Sequence, residues 1–454
     1  MIRRLSSFLF DRCAFQTVLI FVPFLLAGGG KANATPGGVT VRCVPNVNVN
    51  AGCTSPNAYS TIQAAVNAAV PGDVIFVGPG TYNEAVTIST SSISLLGAQA
   101  GNDARIGRKN RLKESIVNGK TNSGQNIAIW ISASGVVVDG FTVSGVTSAP
   151  SPYPAAGILI GTQNSFSGGE QIINNVLENN GVGLYVYEGA APSAASAQPS
   201  VVAEHNLIRN NNAGTVGSVG FGISLNGATY PNIAENAFMD NRLIAISVVG
   251  GGFASVMNNT SENDGAFAFF AKTSQALFSH NTGKNFGYQG VLPGPNSTFA
   301  DAAIEIGPAN KNLVISDNVL EKGQAPISNG IAFSTVFDAG LNNSTPNATV
   351  NVEGNKVMRF PGDGIMAEAS TGGTLTFSWV QGNQLLENGA SGIVIDANNY
   401  NISLFDNQAG GNSVSDCSDE SVGGGTLGTA NGWFNNTGSS SFPNGLCSPA
   451  RRPE

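Results

Sequence analysis

Two or three apolar residues, one or two polar ones and then an asparagine recur along this chain, often with a second asparagine five positions later. The pattern is clear at Ile172-Ile173-Asn174-Asn175 with Asn180, and at Glu204-His205-Asn206 with Asn211. It returns at Asn236 with Asn241, Asn258 with Asn263 and Asn383 with Asn388. Weaker copies centre on Asn281, Asn318, Asn355 and Asn407. Successive spacings are 31, 30, 22, 23, 37, 37, 28 and 24 residues. The shortest suit one coil of a β-solenoid, and the longer ones a coil with an inserted loop.

After each asparagine comes a turn and then a short strand with alternating character, such as Gly157-Ile158-Leu159-Ile160, Gly183-Leu184-Tyr185-Val186 and Gly222-Ile223-Ser224-Leu225. Later copies begin at Gly330, Gly364 and Gly392. Period-two alternation sends one side chain into a core and the next outward. Stacked coils of this kind pair as parallel strands and build internal aliphatic ladders. The pattern therefore predicts an all-β chain, a right-handed parallel β-helix over residues 73–415. Asn175, Asn206, Asn236 and Asn258 are expected in one internal file, bonding backbone left unpaired at the bend. An amphipathic helix over Thr61–Val70, ended by Pro71-Gly72, is expected to cover the first coil within a cap spanning 35–72.

Composition then narrows the setting. The 58 glycines and 11% charged residues suit many tight turns around a narrow core. Arg3, Arg4 and Arg12 precede an apolar run from Ala14 to Ala27, with Ala32-Asn33-Ala34 after it. This reads as an export signal over 1–34, removed before Thr35, with no membrane insertion afterwards. Its removal takes four basic residues and one acid, so the net charge of −8 becomes −11. Such a chain repels phosphate backbones, which argues against nucleic acid. Cys13 leaves with the signal, and the remaining cysteines fall into local pairs, Cys43 with Cys53 and Cys417 with Cys447. In an exported chain these read as two disulfides closing the terminal caps, the second within 416–454. The expectation is a secreted or periplasmic monomer.

The stretch Pro71-Gly72-Asp73-Val74-Ile75-Phe76-Val77-Gly78-Pro79-Gly80-Thr81-Tyr82-Asn83-Glu84, with Ile93-Ser94-Leu95-Leu96-Gly97 after it, resembles the opening of pectate-lyase-like β-helix proteins. The asparagine repeats extend the resemblance to about residue 412. It implies extracellular polysaccharide as partner, in lyases, hydrolases, esterases and epimerases, and also in noncatalytic surface proteins. Pectin methylesterases share Gly80-Thr81-Tyr82-x-Glu84, but their downstream aspartate and arginine signatures are absent. The polygalacturonase motifs and the Asp-Pro-His motif of mannuronan epimerases are absent too. Copper-associated β-helix proteins resemble the N-terminal part, yet two histidines and few methionines supply a copper site poorly.

The strands supply the remaining candidates. Counting from each glycine, residues two and four positions on point outward. The first outward row reads Leu159, Tyr185, Ser224, Ala245, Ala268, Glu305, Ala332, Met366, Val394. The second reads Gly161, Tyr187, Asn226, Ser247, Phe270, Gly307, Ser334, Glu368, Asp396. Insertions at 188–200, 285–300 and 335–349 flank this face and make a groove. Tyr185 and Tyr187 offer rings that stack on a sugar face, with Asn226, Phe270 and Glu305 along the same groove. Glu368 and Asp396 hold one slot on consecutive coils and form a candidate acid–base or nucleophile pair for a glycosidic bond. The same pair can clamp Ca²⁺; no other cofactor is implied. A lyase needs an exposed basic residue instead, for which Lys272, Arg242 and Lys284 are nearest. His205 and His280 hold an ordinary surface position before a repeat asparagine. The function expected is binding or processing of a polysaccharide by a lyase or hydrolase; the alternative is a noncatalytic adhesion scaffold.

Overall fold

The computed structural model describes residues 39–449, apart from 46–55, 107, 109, 120–126, 148–153, 162–167, 188–199, 213–219, 288–300, 325–326, 334–346, 368–374 and 377. The export signal and Cys53 lie outside the described residues, as does most of the three flanking insertions. Among the described residues the strands form three parallel sheets of 15, 12 and 13 members, here sheets A, B and C. Each coil runs A to B to C, as in Val74–Val77, Gly80–Tyr82 and Val86–Ile88. Every sheet pairs a coil with the next in parallel register. This is the right-handed parallel β-helix that the repeat predicts. No described helix is long and apolar enough to cross a membrane.

The core is a continuous stack of Ile, Val, Leu and Phe. Phe267 meets Phe278 edge-on at 5.2 Å, and Phe286 stacks on Phe360 at 6.3 Å between centroids. At the corner between sheets A and B the asparagines form the predicted file. Asn175 donates to Asn206 Oδ1 from its backbone N–H (2.8 Å) and its side chain (3.3 Å). Asn206 does the same to Asn236, and Asn236 to Asn259. Each bond satisfies backbone that no strand can reach, so each is worth of order 1 kcal/mol net and more if broken one-sidedly. One member differs from expectation: the file holds Asn259, fully buried, whereas Asn258 is exposed with φ 56°. Asn258 occupies the left-handed slot just before the file, shared with His205, Glu235, His280 and Asp317. Two adjacent asparagines satisfy the pattern equally, and only the turn conformation separates them.

Both caps form. The helix spans Ile62–Ala68, with the Thr61 side chain accepting from Ala64 N–H. Glu84 accepts from Ile62 and Gln63 N–H at 2.9 and 3.0 Å, placing its charge at the positive end of the helix. Tyr82 donates to the Gly78 carbonyl at 2.8 Å. The Gly80-Thr81-Tyr82-x-Glu84 motif thus seats the capping helix, and its conspicuous residues are used in folding. Asp73 joins Arg42 at 2.8 Å in a nearly buried ion pair; burial raises its pKa, but the arginine and two backbone N–H groups outweigh this and hold it low. Cys417 and Cys447 are disulfide-bonded, tying the last coil to the tail. Cys43 is in a disulfide as well.

Candidate functional site

Sheet C carries the face singled out above, and its register corrects two strands. The outward row through Tyr185 continues Ser224, Ser247, Phe269, Glu305, Ala332, Met366, Val394 and Ser418. Ser247 and Phe269 therefore replace Ala245 and Ala268. The row through Tyr187 and Asn226 continues to Val249 and Ala271, replacing Ser247 and Phe270. Phe270 points into the core, fully buried with its ring 5.7 Å from Phe278, and is no ligand contact. The cause is local. Glycine marks the strand start in most coils, but Ala245 and Phe267 take that slot here; the count slips by two residues in the first coil and by one in the second, where it turns the side chains to the other face.

The first half of this face is apolar and aromatic. Ile127, Ala156, Leu159 and Val182 form a buried cluster on the outside of the sheet, with Trp130, Tyr185, Tyr187 and Phe221 packed against it. Trp130 donates its indole N–H to the Gly161 carbonyl at 3.1 Å. The Tyr185 and Tyr187 rings lie 6.2 Å apart and 19° from parallel, both half-buried. Asn226 donates to the Tyr185 hydroxyl at 3.2 Å. Burial raises the Tyr185 pKa, so the hydroxyl stays neutral and able to donate. Two nearly parallel rings, one held by an amide and both partly open to solvent, suit the C–H face of a sugar ring.

The second half carries a polar file. A third outward row, one residue before each strand-start glycine, reads Val182, Phe221, Ile244 and Ala266 early on. In later coils it turns to Asn329, Asp363, Ser391 and Ser415. Asn329 donates to Asp301 Oδ2 at 3.2 Å and accepts from Asp363 N–H at 2.9 Å, bridging the two acids. Asp363 Oδ1 accepts from Ser391 N–H at 2.7 Å. Burial raises the pKa of both aspartates, and the charge of Asp301 raises Asp363 further. Their backbones stand two interstrand steps apart, roughly 9.6 Å. Sequence reasoning missed this file; the signal was the change from apolar to polar residues just before the repeated glycine.

Glu305 faces the same side but is only 2% exposed, beside Phe269 and Ala332, which are buried as well. This middle stretch is covered, so the face is not one open groove. Asp396 is half-buried at the opposite edge of sheet C, its N–H donating to the Ala367 carbonyl at 2.9 Å. The pairing of Ala367 with Ile395 carries the register up to the Glu368–Asp396 slot, although Glu368 itself lies outside the described residues. Tyr187 and Asp396 are separated by seven interstrand steps, roughly 34 Å.

The basic candidates sit elsewhere. Lys284 pairs with Glu262 on sheet B at 3.2 Å, Arg242 lies at the corner between sheets B and C, and Lys272 is exposed in a left-handed turn after the sheet C strand Ala266–Ala271. Among the described positions of the face there is no lysine or arginine. His205 lies 3.1 Å from the Glu235 carboxylate, and His280 2.9 Å from Ser279 Oγ. Both stand at the corner between sheets A and B, away from this face. Among the described residues no three His, Cys, Asp or Glu side chains are grouped closely enough to hold a metal ion.

No family model matches the chain, and no curated protein matches it either. Solved structures do. The catalytic unit of a thermostable GH87 α-1,3-glucanase from Streptomyces thermodiastaticus HF3-3 aligns with TM-score 0.51 and 14% identity, over 91% of this chain and 71% of that one. An alginate lyase from Paenibacillus sp. FPU-7 aligns with TM-score 0.40 and 16% identity, over 71% and 91%. The pectate lyase Pel9A aligns with TM-score 0.34 and 13% identity, over 75% and 80%. At 14% identity the likeness to the glucanase unit shows a shared fold.

Proposed function

We propose that this protein binds and cleaves an extracellular polysaccharide on the outer face of sheet C. The observation that carries the proposal is the division of the sheet C face into an aromatic half and an acidic half, with the buried stretch around Phe269 and Glu305 between them. A glycan chain lying along the coils meets stacking rings at Tyr185 and Tyr187 and carboxyl groups beyond them. The glucanase that shares the fold supports this only by analogy, since fold alone does not give function. The disulfide-bonded ends suit an oxidising, extracellular setting.

Within the acidic half, burial and the charge of Asp301 both help hold the Asp363 proton, and we assign it the general acid. We assign Asp301, two coils back along the same file, the carboxylate that activates a water, as in hydrolysis with inversion. Asp396, at the opposite edge of sheet C, and Glu368, which the repeat count assigns to the same slot, are the second carboxyl pair proposed for the reaction. Carboxyl groups and no described basic residue on this face favour hydrolysis over β-elimination. The test is a panel of neutral and acidic polysaccharides, scored by affinity electrophoresis, by new reducing ends and by absorbance of unsaturated products. Retardation with new reducing ends and no unsaturation supports the proposal. Unsaturated products would replace the hydrolytic reading with a lyase, and no retardation by any polymer would remove the polysaccharide.

A further inference from the structure

The corner between sheets B and C carries a second file of buried amides, and this file ends on an acid. Asn180, Asn211 and Asn241 each accept through Oδ1 the backbone N–H of the preceding coil, from Val146, Asn180 and Asn211, at 3.2, 3.1 and 3.2 Å. Each donates its side-chain N–H to a carbonyl of that coil, Val143, Leu177 and Ile208, at 3.1, 3.1 and 3.0 Å. The next slot holds Asp264, fully buried. Its Oδ1 accepts from Asn241 N–H at 2.7 Å and from Asn241 Nδ2 at 2.8 Å, as an asparagine there would. Its Oδ2 stands where an asparagine has a donor, and accepts from the Ser261 hydroxyl at 2.6 Å. The register makes Phe238 the equivalent of Val143, Leu177 and Ile208 for this slot. A carboxylate has nothing to donate there, whereas a neutral carboxyl group has one proton.

We propose that Asp264 is a proton-operated latch: as the neutral acid it completes the amide file, and as the carboxylate it leaves a buried charge that loosens this corner. Burial is the main force holding the proton, pushing the Asp264 pKa up to about 7 despite the three hydrogen bonds, and the charge of Asp240 adds to it. The other charged groups on the packed elements are Arg242 at the corner, Lys272 beyond the far end of the sheet C strand, and Glu262 with Lys284. That last pair is partly exposed on sheet B, its members joined to each other at 3.2 Å. A second file shows the contrast. Asn388 passes to Asn412, and Asn412 to Asp416, at 3.0 and 2.8 Å. Burial raises the pKa of Asp416 too, but Asn412 and the N–H and hydroxyl of Ser439 outweigh it, and it stays ionised below the ordinary range. The latch is thus a property of Asp264, and not of every acid that ends a file.

The folded state binds the Asp264 proton more tightly than the unfolded chain does. Its contribution is therefore complete below the ordinary value of 3.8, declines as pH rises to about 7, and is level above that. The experiment is thermal unfolding of the full chain between pH 5 and pH 8.5, for the unmodified protein, Asp264→Asn and Asp416→Asn. Asp264→Asn restores the amide, so its midpoint should exceed that of the unmodified protein at pH 8 and lose most of the decline toward neutrality. Asp416→Asn should keep that decline. An Asp264→Asn profile parallel to the unmodified one would overturn the proposal. Should Asp264→Asn not fold, Ser261→Ala decides the matter. Loss of the hydroxyl donor should carry the decline to higher pH, and an unmoved decline would overturn the latch.

Discussion

The two halves of the sheet C face are built on the same backbone but differ in what their outward positions hold. In the coils through Trp130, Leu159 and Tyr185 the outward rows are apolar or aromatic and pack into a satellite cluster outside the core. In the coils through Asn329, Asp363 and Ser391 the row before the glycine is polar and hydrogen-bonds from coil to coil, while the next row stays apolar at Ala332, Met366 and Val394. The core beneath is aliphatic and aromatic in both. A solenoid separates these tasks because each coil touches only its neighbours, so the outward row can change character without disturbing the ladder inside. The first half is suited to holding a chain and the second to acting on it.

The largest expected effect falls in the acidic half. Asp363→Asn keeps shape and removes the proton donor, so turnover should drop by roughly 10²- to 10⁴-fold with polymer affinity nearly unchanged. Glu368→Gln and Asp396→Asn separate the two carboxyl pairs, because only the pair that reacts should give a loss of that size. In the aromatic half, Tyr185→Ala with Tyr187→Ala removes two stacking faces. Polymer affinity measured by titration calorimetry should fall by about tenfold or more, with turnover at saturation largely retained. If either substitution produced the effect assigned to the other, the division of the face would be wrong.

A subtler effect concerns length. With roughly 34 Å between Tyr187 and Asp396, short oligosaccharides should sense one half only, so the tyrosine substitutions should matter progressively more as the ligand lengthens. Smallest is the coupling of the two aspartates. Asp301→Asn removes the charge that helps hold the Asp363 proton, so titration of the Asp363 carboxyl carbon should move to lower pH. An upward move would contradict the assigned geometry.

Much of the fold was legible because a parallel β-helix repeats its instructions. Asn175, Asn206 and Asn236 fell into their file, and the strands begun by Gly183, Gly222, Gly330, Gly364 and Gly392 faced as counted. The failures occurred where that punctuation is lost. Ala245 and Phe267 stand in the glycine slot, and there the count slipped and turned Phe270 outward. At Asn258-Asn259 two equal candidates met one buried position, and the left-handed turn chose between them. The aromatic half of the site was readable from Tyr185 and Tyr187, two residues apart on one strand. The Asp301–Asn329–Asp363 file was not, because its members lie 28 and 34 residues apart and only coil-to-coil register brings them together. The burial of Glu305 likewise depends on what covers the sheet, which alternation along a strand does not encode.

One measurement tests the division of labour most directly: binding and turnover of one long polysaccharide by the unmodified protein, the double tyrosine variant, Asp363→Asn, Glu368→Gln and Asp396→Asn, side by side. The account predicts weakened binding with retained turnover for the tyrosine variant. It predicts retained binding with lost turnover for Asp363→Asn or for the Glu368–Asp396 pair. Equal behaviour of all five proteins would contradict it, leaving the face as solvated surface on a noncatalytic scaffold.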